Sequence, residues 1–237
     1  MSNPFCLLVL SLLALTLIGS LVASTELACK NTNKLLGVKK ITKKDKNKLL
    51  EAHNKYRNLI ASGKVTGQPA AQNMRVLTWD DFAEERATYW ASMCKLRAAR
   101  INNKYHHTMG LNLYAKTSTK TQDVNTTFNE WVDEMLAFWY KQVNNYEFGS
   151  NITEKTEFYT QMVWATTSKL GCGYSYFRKG DHWHVGYLVC LYDPRGNKWN
   201  AQKNKYESPY ILGKVNCSAY DLNRSQKYRS LCVEKNY

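Results

Sequence analysis

The chain has 237 residues, a formal net charge of +14 at pH 7 and only four prolines. This length suits one domain with a large hydrophobic core, and no Pro- or Ser-rich linker or internal repeat divides the chain. The cysteines include no CxxC pair, so the zinc-finger class has no support.

The amino terminus has the pattern of a secretory signal peptide. Residues 5–23 are apolar without a charged side chain, and the polar residues 24–26 follow. Val22 and Ser24 fit the small-residue pattern before a cleavage point, which predicts a signal peptide over residues 1–24. A retained membrane anchor is the alternative, but no stop-transfer flank follows. We therefore expect a secreted protein with no transmembrane segment after cleavage and, lacking a recognition motif, no nucleic-acid partner.

Cysteine usage and glycosylation sequons agree with an extracellular compartment. Six cysteines remain once cleavage removes Cys6, and an even number in a secreted chain indicates three disulfides. They are Cys29, Cys94, Cys172, Cys190, Cys217 and Cys232, and the count alone leaves their pairing open. Four Asn-x-Ser/Thr sequons predict glycan sites on the surface. They begin at Asn125, Asn151, Asn216 and Asn223.

Residues 25–44 are predicted to form a basic lead-in segment before the folded domain. Between Lys30 and Lys48 the chain has eight lysines and one acidic residue, Asp45. A solvated segment is the favoured interpretation, since such runs are usually only solubilising. The alternative is electrostatic attraction to heparan sulfate, anionic lipid or an acidic partner.

Three amphipathic helices are predicted ahead of a pair of strands. A capping-box pattern at residues 42–45 begins the first helix, which ends at Gly63. A second box at residues 78–81 begins a helix that reaches Cys94, and a third at residues 127–130 begins the most strongly amphipathic helix. The apolar side of that third helix contains Phe128, Trp131, Val132, Met135, Trp139 and Val143.

Two strands are predicted around Cys172 and Cys190, joined by a polar turn at residues 179–181. Residues 187–192 contain no charged side chain and do not alternate apolar with polar residues. A strand of that kind is normally covered on both faces. Together with the helices, this predicts an α+β fold in which a small central sheet has helices above and below it, an α-β-α sandwich.

Several short motifs follow one another along the chain. They are HNKYR at residues 53–57, WASMC ending at Cys94, YTQMVW, GCG at residues 171–173 and YLVCLYDPRGN. In this order they resemble the signatures of the CAP superfamily of cysteine-rich secretory, antigen 5 and PR-1 proteins, and most closely insect antigen 5-like proteins of venom and saliva. The resemblance covers residues 29–200. It implies a CAP domain over residues 45–200, with a small antiparallel sheet and no generally accepted enzymatic activity.

The resemblance also implies how the cysteines pair. The implied disulfides are Cys172 with Cys190, Cys29 with Cys94 and, as the remaining pair, Cys217 with Cys232. The last pair lies in residues 201–237, a carboxyl-terminal extension beyond the antigen 5 pattern. A loop closed by such a disulfide adds on the order of 3 kcal/mol of local order.

The best-known polar site of this family is a cavity with two His and two Glu that can hold a divalent metal. The corresponding positions of this sequence are Ala98, Leu111, Glu134 and Phe158. Three of these side chains cannot ligate a metal, whereas zinc needs three or four N, O or S ligands. The His–Glu pair that a hydrolytic mechanism would use for proton transfer is lost as well. We therefore expect no metal, no cofactor and no catalytic residue, with Glu134 alone beside a smaller or more apolar cavity.

The remaining histidines give weaker candidates for a metal site. His182 and His184 would share one face of an extended strand, but no third ligand is evident and an exposed strand end is favoured. His106 and His107 would point to opposite faces. His53 lies on the apolar stripe of the first helix and is interpreted as a hydrogen-bonded core residue.

The third helix is apolar around most of its circumference, which is compatible with a ligand groove between the first and third helices. The lining residues would be Tyr56, Ile60, Met135 and Trp139, although simple burial of this helix is the favoured explanation. We expect a secreted, glycosylated, non-enzymatic binding protein whose partner is an extracellular protein or an anionic polysaccharide. A carrier of a small lipid, such as a fatty acid, eicosanoid or sterol, is the alternative.

Overall fold

The computed structural model describes residue 29 and residues 33–235. The predicted signal peptide and Lys30 lie outside the described residues. The helices of the described part are α1 (Lys43–Ala61), α2 (Asp81–Ser92), α3 (Val124–Lys141) and α4 (Glu157–Met162). None of these four helices is long and apolar enough to cross a membrane.

A five-stranded sheet forms the centre of the domain. It contains β1 (Asn33–Val38), β2 (Thr78–Trp79), β3 (Gly110–Ser118), β4 (Lys169–Lys179) and β5 (Trp183–Asp193). The strand order is β1-β4-β5-β3 with antiparallel neighbours, and β2 pairs with β4 in parallel. Two small hairpins follow, β6 (Trp199–Asn200) with β7 (Lys205–Tyr206) and β8 (Leu222–Arg224) with β9 (Cys232–Glu234).

Both faces of the central β4–β5 hairpin are buried. Side chains alternate along a strand, so Leu188 and Cys190 face a larger core that includes residues of α1, α3 and α4. Tyr187 and Val189 face the opposite way, into a second core that includes α2. The predicted α-β-α sandwich is therefore confirmed.

The GCG motif lets α2 lie very close to the sheet. A Cβ atom built on Gly171 would lie 2.2 Å from the backbone nitrogen of Glu84, and one on Gly173 would lie 2.3 Å from the Cα of Thr88. On the helix side, the contact is made by small residues such as Ala83 and Ala87, which are fully buried. A side chain at either glycine would push α2 away from the strand.

The first helix begins where the sequence predicts, and the second does not. Thr42 caps α1 and forms the complete capping box with Asp45. The cap of α2 is Asp80, whose carboxylate accepts the N–H of Ala83 at 2.7 Å. Thr78, the predicted cap, is taken into β2, so the helix begins two residues later.

The third helix begins one turn earlier than predicted. Asp123 caps it, because one of its carboxylate oxygens accepts the N–H groups of both Asn125 and Thr126. Thr127, the predicted cap, lies buried inside the first turn and donates its hydroxyl to the Asp123 carbonyl at 3.1 Å. Because the Asp123 carboxylate accepts two N–H groups at the start of the helix, α3 is capped at Asp123 rather than at Thr127.

The predicted lead-in is part of the domain wherever it is described. β1 pairs with β4 at the edge of the sheet, and the Lys39 N–H donates to the Tyr174 carbonyl at 2.9 Å. Lys39 itself is buried, with its ammonium 2.8 Å from the Asp45 carboxylate. The sequence analysis included this strand in the basic lead-in, because it is only six residues long and lysines precede and follow it.

The carboxyl-terminal extension is built into the domain as far as residue 235. Leu231 is fully buried in the larger core, and the Cys232 N–H donates to the Met74 carbonyl at 2.8 Å. Pro209 accepts the Ala165 N–H at 2.7 Å. The structure contains all three implied disulfides, Cys29–Cys94, Cys172–Cys190 and Cys217–Cys232.

Candidate functional site

Three of the four positions carried over from the family's metal site meet in one cavity of about 690 Å³. Leu111 reaches it from β3, Phe158 from α4 and Ala98 from the loop after α2. The amide of Asn112 donates to the Phe158 carbonyl at 2.9 Å, which holds α4 against β3. None of the three side chains that meet here can ligate a metal or transfer a proton.

Glu134, the fourth position, is not among the residues that line this cavity. Its carboxylate forms an ion pair with Lys116 of β3, and its side chain is 58% exposed. The Lys116 ammonium also lies 5.5 Å from the ring centroid of Trp131. The expectation of a lone Glu134 carboxylate beside the cavity is therefore corrected, because Trp131 and Met135 occupy the inward side of α3 and Glu134 lies on its flank, paired with Lys116.

Charged residues outside the four positions that correspond to the family's metal site also line the cavity. Arg97, Arg100 and Arg195 line it together with Glu154 and Glu157. None of these five forms an ion pair within the described residues. Burial, with a smaller contribution from Glu154, raises the pKa of the Glu157 carboxyl. The lining is of mixed polar and apolar character, and it has no histidine.

The cavity does not fit the divalent metal that the family resemblance implies. Its lining contains two carboxylates and no His or Cys, which is fewer ligands than zinc requires. Across residue 29 and residues 33–235, no group of three or more His, Cys, Asp or Glu side chains is placed to hold a metal ion. No catalytic step can therefore be derived through a metal at this position.

His53 belongs to a buried hydrogen-bond network instead. Its Nδ1 donates to the Leu49 carbonyl at 2.7 Å, and its Nε2 accepts the Tyr192 hydroxyl at 2.8 Å. Asn112 donates to the same hydroxyl at 3.2 Å. Complete burial lowers the pKa of His53 to about 4, so the imidazole is neutral at physiological pH. The sequence interpretation of His53 as a hydrogen-bonded core residue agrees with this geometry.

Arg57, one helical turn after His53, is a fully buried cation. Its guanidinium donates to five backbone carbonyls, those of Arg75, Met162, Trp164, Ala165 and Thr167, at 2.6–3.3 Å. Burial lowers its pKa to about 9, so it stays charged at neutral pH. Sequence reasoning missed this residue, although its position in HNKYR, four residues after a core histidine, places both on one helix face.

The other histidines are not brought together. His182 is exposed in the turn before β5, whereas His184 is buried, stacked on Tyr176 and 3.1 Å from the Thr121 hydroxyl. His106 and His107 are exposed in the loop before β3. The predicted strand-face pair of His182 and His184 therefore has only one member on the strand.

The candidate groove between α1 and α3 is filled by protein side chains. Ile60, Met135 and Trp139 are fully buried. Tyr56 is half-buried and stacks on Tyr140 with 4.0 Å between ring centroids. What remains between the helices is a cleft of about 420 Å³, lined mostly by the polar or charged residues Lys48, Glu51, Lys55, Tyr56 and Asp133.

The four sequon asparagines all lie at the surface. Asn125 is in the first turn of α3, Asn151 is in a loop, and Asn216 and Asn223 are in the extension. All four are exposed, as a glycan would require.

Comparisons with known proteins show which family this chain belongs to. The chain is 44% identical over 238 residues to a salivary antigen-5 of Dipetalogaster maximus, covering 99% of this chain and 92% of that protein. It is 39% identical to a salivary antigen-5 of Triatoma infestans, covering 99% and 96%. A venom allergen 5 of Vespa magnifica is 38% identical over 168 residues, covering 68% of this chain and 71% of that protein. The two salivary relatives thus also align with the extension, which the sequence had placed beyond the antigen 5 pattern.

Solved structures show the same fold at low identity. BmVAL-1 matches with a TM-score of 0.64 and 23% identity, covering 83% of this chain and 97% of that one. NaASP2, solved with Zn²⁺, matches with a TM-score of 0.61 and 21% identity, covering 86% and 99%. The family described as "CAP: Cysteine-rich secretory protein family" matches residues 50–192. This chain belongs to the CAP family and is an antigen 5-like member of it.

Proposed function

We propose that this protein is a secreted, non-enzymatic binding protein that acts on an anionic extracellular polymer, such as a sulfated polysaccharide. Members of the antigen 5 group are generally without enzymatic activity, and the related salivary and venom proteins are secreted. The cavity has two carboxylates but no histidine, and therefore no His–Glu pair, which supports the non-enzymatic part. The anionic partner is supported by the distribution of positive charge on the sheet edge.

The observation that carries the proposal is a cluster of like charges across β1 and β4. Lys34 lies directly opposite Arg178, and Lys179 is the next residue along β4. All three are exposed, and none forms an ion pair within the described residues. Like charges directly opposite each other on neighbouring strands are destabilising. An anionic polymer laid along this edge would relieve that repulsion.

The positive charge continues beyond the other end of β1. Lys40, Lys43 and Lys44 are exposed where the chain enters α1, and no carboxylate of the described residues pairs with them. Lys39 is different, because it is buried against Asp45 and unavailable to a partner. We define the basic edge as Lys34, Lys40, Lys43, Lys44, Arg178 and Lys179. A cluster of unpaired cations raises the local concentration of oppositely charged partners, although Lys40 shares a surface cleft with Asp81, Glu84 and Glu85.

Retention on immobilised heparin tests this proposal. The variant Lys34→Gln/Arg178→Gln/Lys179→Gln should elute at clearly lower salt than the wild type, because exposed charges act through screened attraction. The control Lys64→Gln/Lys203→Gln/Lys214→Gln removes the same charge from exposed positions outside the basic edge. It should elute close to the wild type.

Two results would overturn the proposal. If both triple variants shift equally, net charge alone governs retention and the basic edge is not a site. If neither shifts, an anionic polymer is not bound through these residues, and a protein partner becomes the better hypothesis.

A further inference from the structure

A second cleft lies on the outer face of α2, away from the basic edge. It has a volume of about 530 Å³, within the usual range for small-molecule sites. Its apolar part consists of Phe82, Tyr89 and Trp90 from α2, with Ile101 from the following loop. We call it the α2 cleft.

Of these aromatic side chains, Tyr89 is exposed, whereas Phe82 and Trp90 are partly buried and also pack against the second core. Positions 82, 86, 89 and 90 share one face of α2, while Ala83 and Ala87 take the face against the sheet. Tyr89 is 52% exposed, although tyrosine rings bury a large apolar area when a partner is available. A face of this composition on a well-packed helix is suited to covering a flat apolar group.

The charges around the cleft have one sign. Arg86, Arg100, Lys104 and His106 line it, and no carboxylate does. Arg86, Arg100 and Lys104 form no ion pair within the described residues. The Arg86 guanidinium lies 5.0 Å from the Phe82 ring centroid, so cation and ring are already in contact. Lys104 likewise lies 5.0 Å from the Tyr105 ring centroid, so an anionic group would find several donors without displacing a carboxylate partner.

The wall opposite α2 is an ordered loop. Asn103 is buried, and its side-chain oxygen accepts the N–H groups of Tyr105 and His107 at 2.9 and 3.0 Å. Its amide donates to the Asp193 carboxylate at 2.9 Å, which ties the loop to the end of β5. The Asp193 carboxylate is thereby engaged by the loop. These hydrogen bonds fix the loop's own conformation, so little ordering of the loop is needed when a ligand binds.

We propose that the α2 cleft binds a small amphipathic anion, meaning an apolar or aromatic body that carries one carboxylate, sulfate or phosphate. The rings of Phe82, Tyr89 and Trp90 contact the apolar body, and Arg86 with Lys104 contacts the anionic group. This site is separate from the basic edge and from the cavity of Ala98, Leu111 and Phe158, although Arg100 lines both that cavity and the cleft. It goes beyond the proposed function and does not depend on it.

Fluorescence titration with 8-anilinonaphthalene-1-sulfonate tests the proposal on the full mature chain. The neutral dye N-phenyl-1-naphthylamine has the same ring system without the sulfonate. The sulfonate dye should bind saturably with one site, and about tenfold more tightly than the neutral dye, because charge-assisted hydrogen bonds strengthen its contact. Near-ultraviolet circular dichroism checks that each protein is folded.

Variants locate the bound dye. Arg86→Gln/Lys104→Gln should weaken binding of the sulfonate dye by about tenfold and leave the neutral dye unchanged. Tyr89→Ala, at an exposed position, should weaken both dyes by a few fold. The matched control Lys64→Gln/Lys203→Gln removes the same charge elsewhere and should leave both dyes unchanged.

Competition identifies the source of the ligand chemistry. Displacement of the sulfonate dye by dodecanoate assigns the cleft to fatty carboxylates, and displacement by 1-naphthyl phosphate assigns it to aromatic anions. The proposal is overturned if neither competitor displaces the dye, if the neutral dye binds as tightly, or if the control pair weakens binding as much as Arg86→Gln/Lys104→Gln. Heparin retention of Arg86→Gln/Lys104→Gln should stay near that of the Lys64→Gln/Lys203→Gln control, so failure here leaves the basic-edge proposal intact.

Discussion

The buried hydrogen-bond network around His53 and Arg57 and the cavity lined by Ala98, Leu111 and Phe158 both contain polar groups. They differ in whether those groups are paired with a partner inside the protein. Arg57 is fully buried, and its guanidinium joins the Arg75 carbonyl to carbonyls of residues 162–167. The cavity's arginines and glutamates form no ion pairs within the described residues. The comparison teaches that the polar groups of the network are satisfied by buried hydrogen bonds, whereas Ala98, Leu111 and Phe158 stand at three of the positions carried over from the family's metal site.

The largest expected effect comes from removing the cation of the buried network. Arg57→Met should lower the free energy of unfolding by about 3–5 kcal/mol, because five carbonyls lose their buried donor. Urea denaturation followed by circular dichroism, with the disulfides intact, measures this. Arg97→Met at the cavity is the control and should change stability by less than about 0.5 kcal/mol. Equal losses of unfolding free energy in Arg57→Met and Arg97→Met would contradict the distinction between the buried network and the cavity.

The carboxyl-terminal extension should contribute to the free energy of unfolding, as the core does and the cavity does not. Cys217→Ser/Cys232→Ser opens a loop of 15 residues and should lower the free energy of unfolding by about 3 kcal/mol. Because Leu231 and Cys232 are buried beside Met74, hydrogen exchange of residues 74–76 should accelerate as well. Unchanged exchange at those residues would show that the extension is only an appendage.

Acid should weaken the network through His53. Its pKa is about 4 in the folded chain and about 6.5 when unfolded, so between these values the unfolded state binds more protons. Stability contributed by the neutral imidazole is therefore present above pH 6.5 and is lost as the pH falls toward 4. We expect a loss of about 2 kcal/mol at pH 5 relative to pH 7.5. His53→Gln should flatten this part of the profile in urea titrations, and an equally steep profile in that variant would assign it to other groups.

The smallest effect is expected at Glu134. Glu134→Gln removes one exposed ion pair with Lys116 and should change the free energy of unfolding by less than about 0.5 kcal/mol. Thermal unfolding at low and high salt measures it. A loss above about 2 kcal/mol would indicate that this carboxylate is part of a buried site after all.

Much of the fold follows from the sequence because its signals are local. A strand without charged residues must be covered on both faces, and the GCG motif leaves room for a close helix. The starts of α2 and α3 were less predictable. Thr78 and Thr127 match a capping pattern, but the caps in the structure are Asp80 and Asp123. Thr78 lies in β2, and α3 begins one turn before Thr127. β1 was not predicted either, because it is a short strand between lysine-rich stretches and was included in the basic lead-in.

The site was harder to predict, because its properties depend on contacts between distant segments. The family resemblance pointed to Ala98, Leu111 and Phe158 as cavity positions, and in the structure these three side chains line one cavity. The sequence could not show that Glu134 forms an ion pair with Lys116, or that Lys39 is buried in an ion pair with Asp45. The α2 cleft was also beyond reach, since it needs a loop around Asn103 to stand opposite the aromatic face of α2.

The central claim is that this chain has kept the CAP scaffold and lost its metal chemistry, and isothermal titration with ZnCl₂ at pH 7 tests it most directly. We predict no saturable heat in the wild-type protein, because the cavity offers two carboxylates and no histidine. Stoichiometric zinc binding that disappears in Glu157→Gln would contradict the claim.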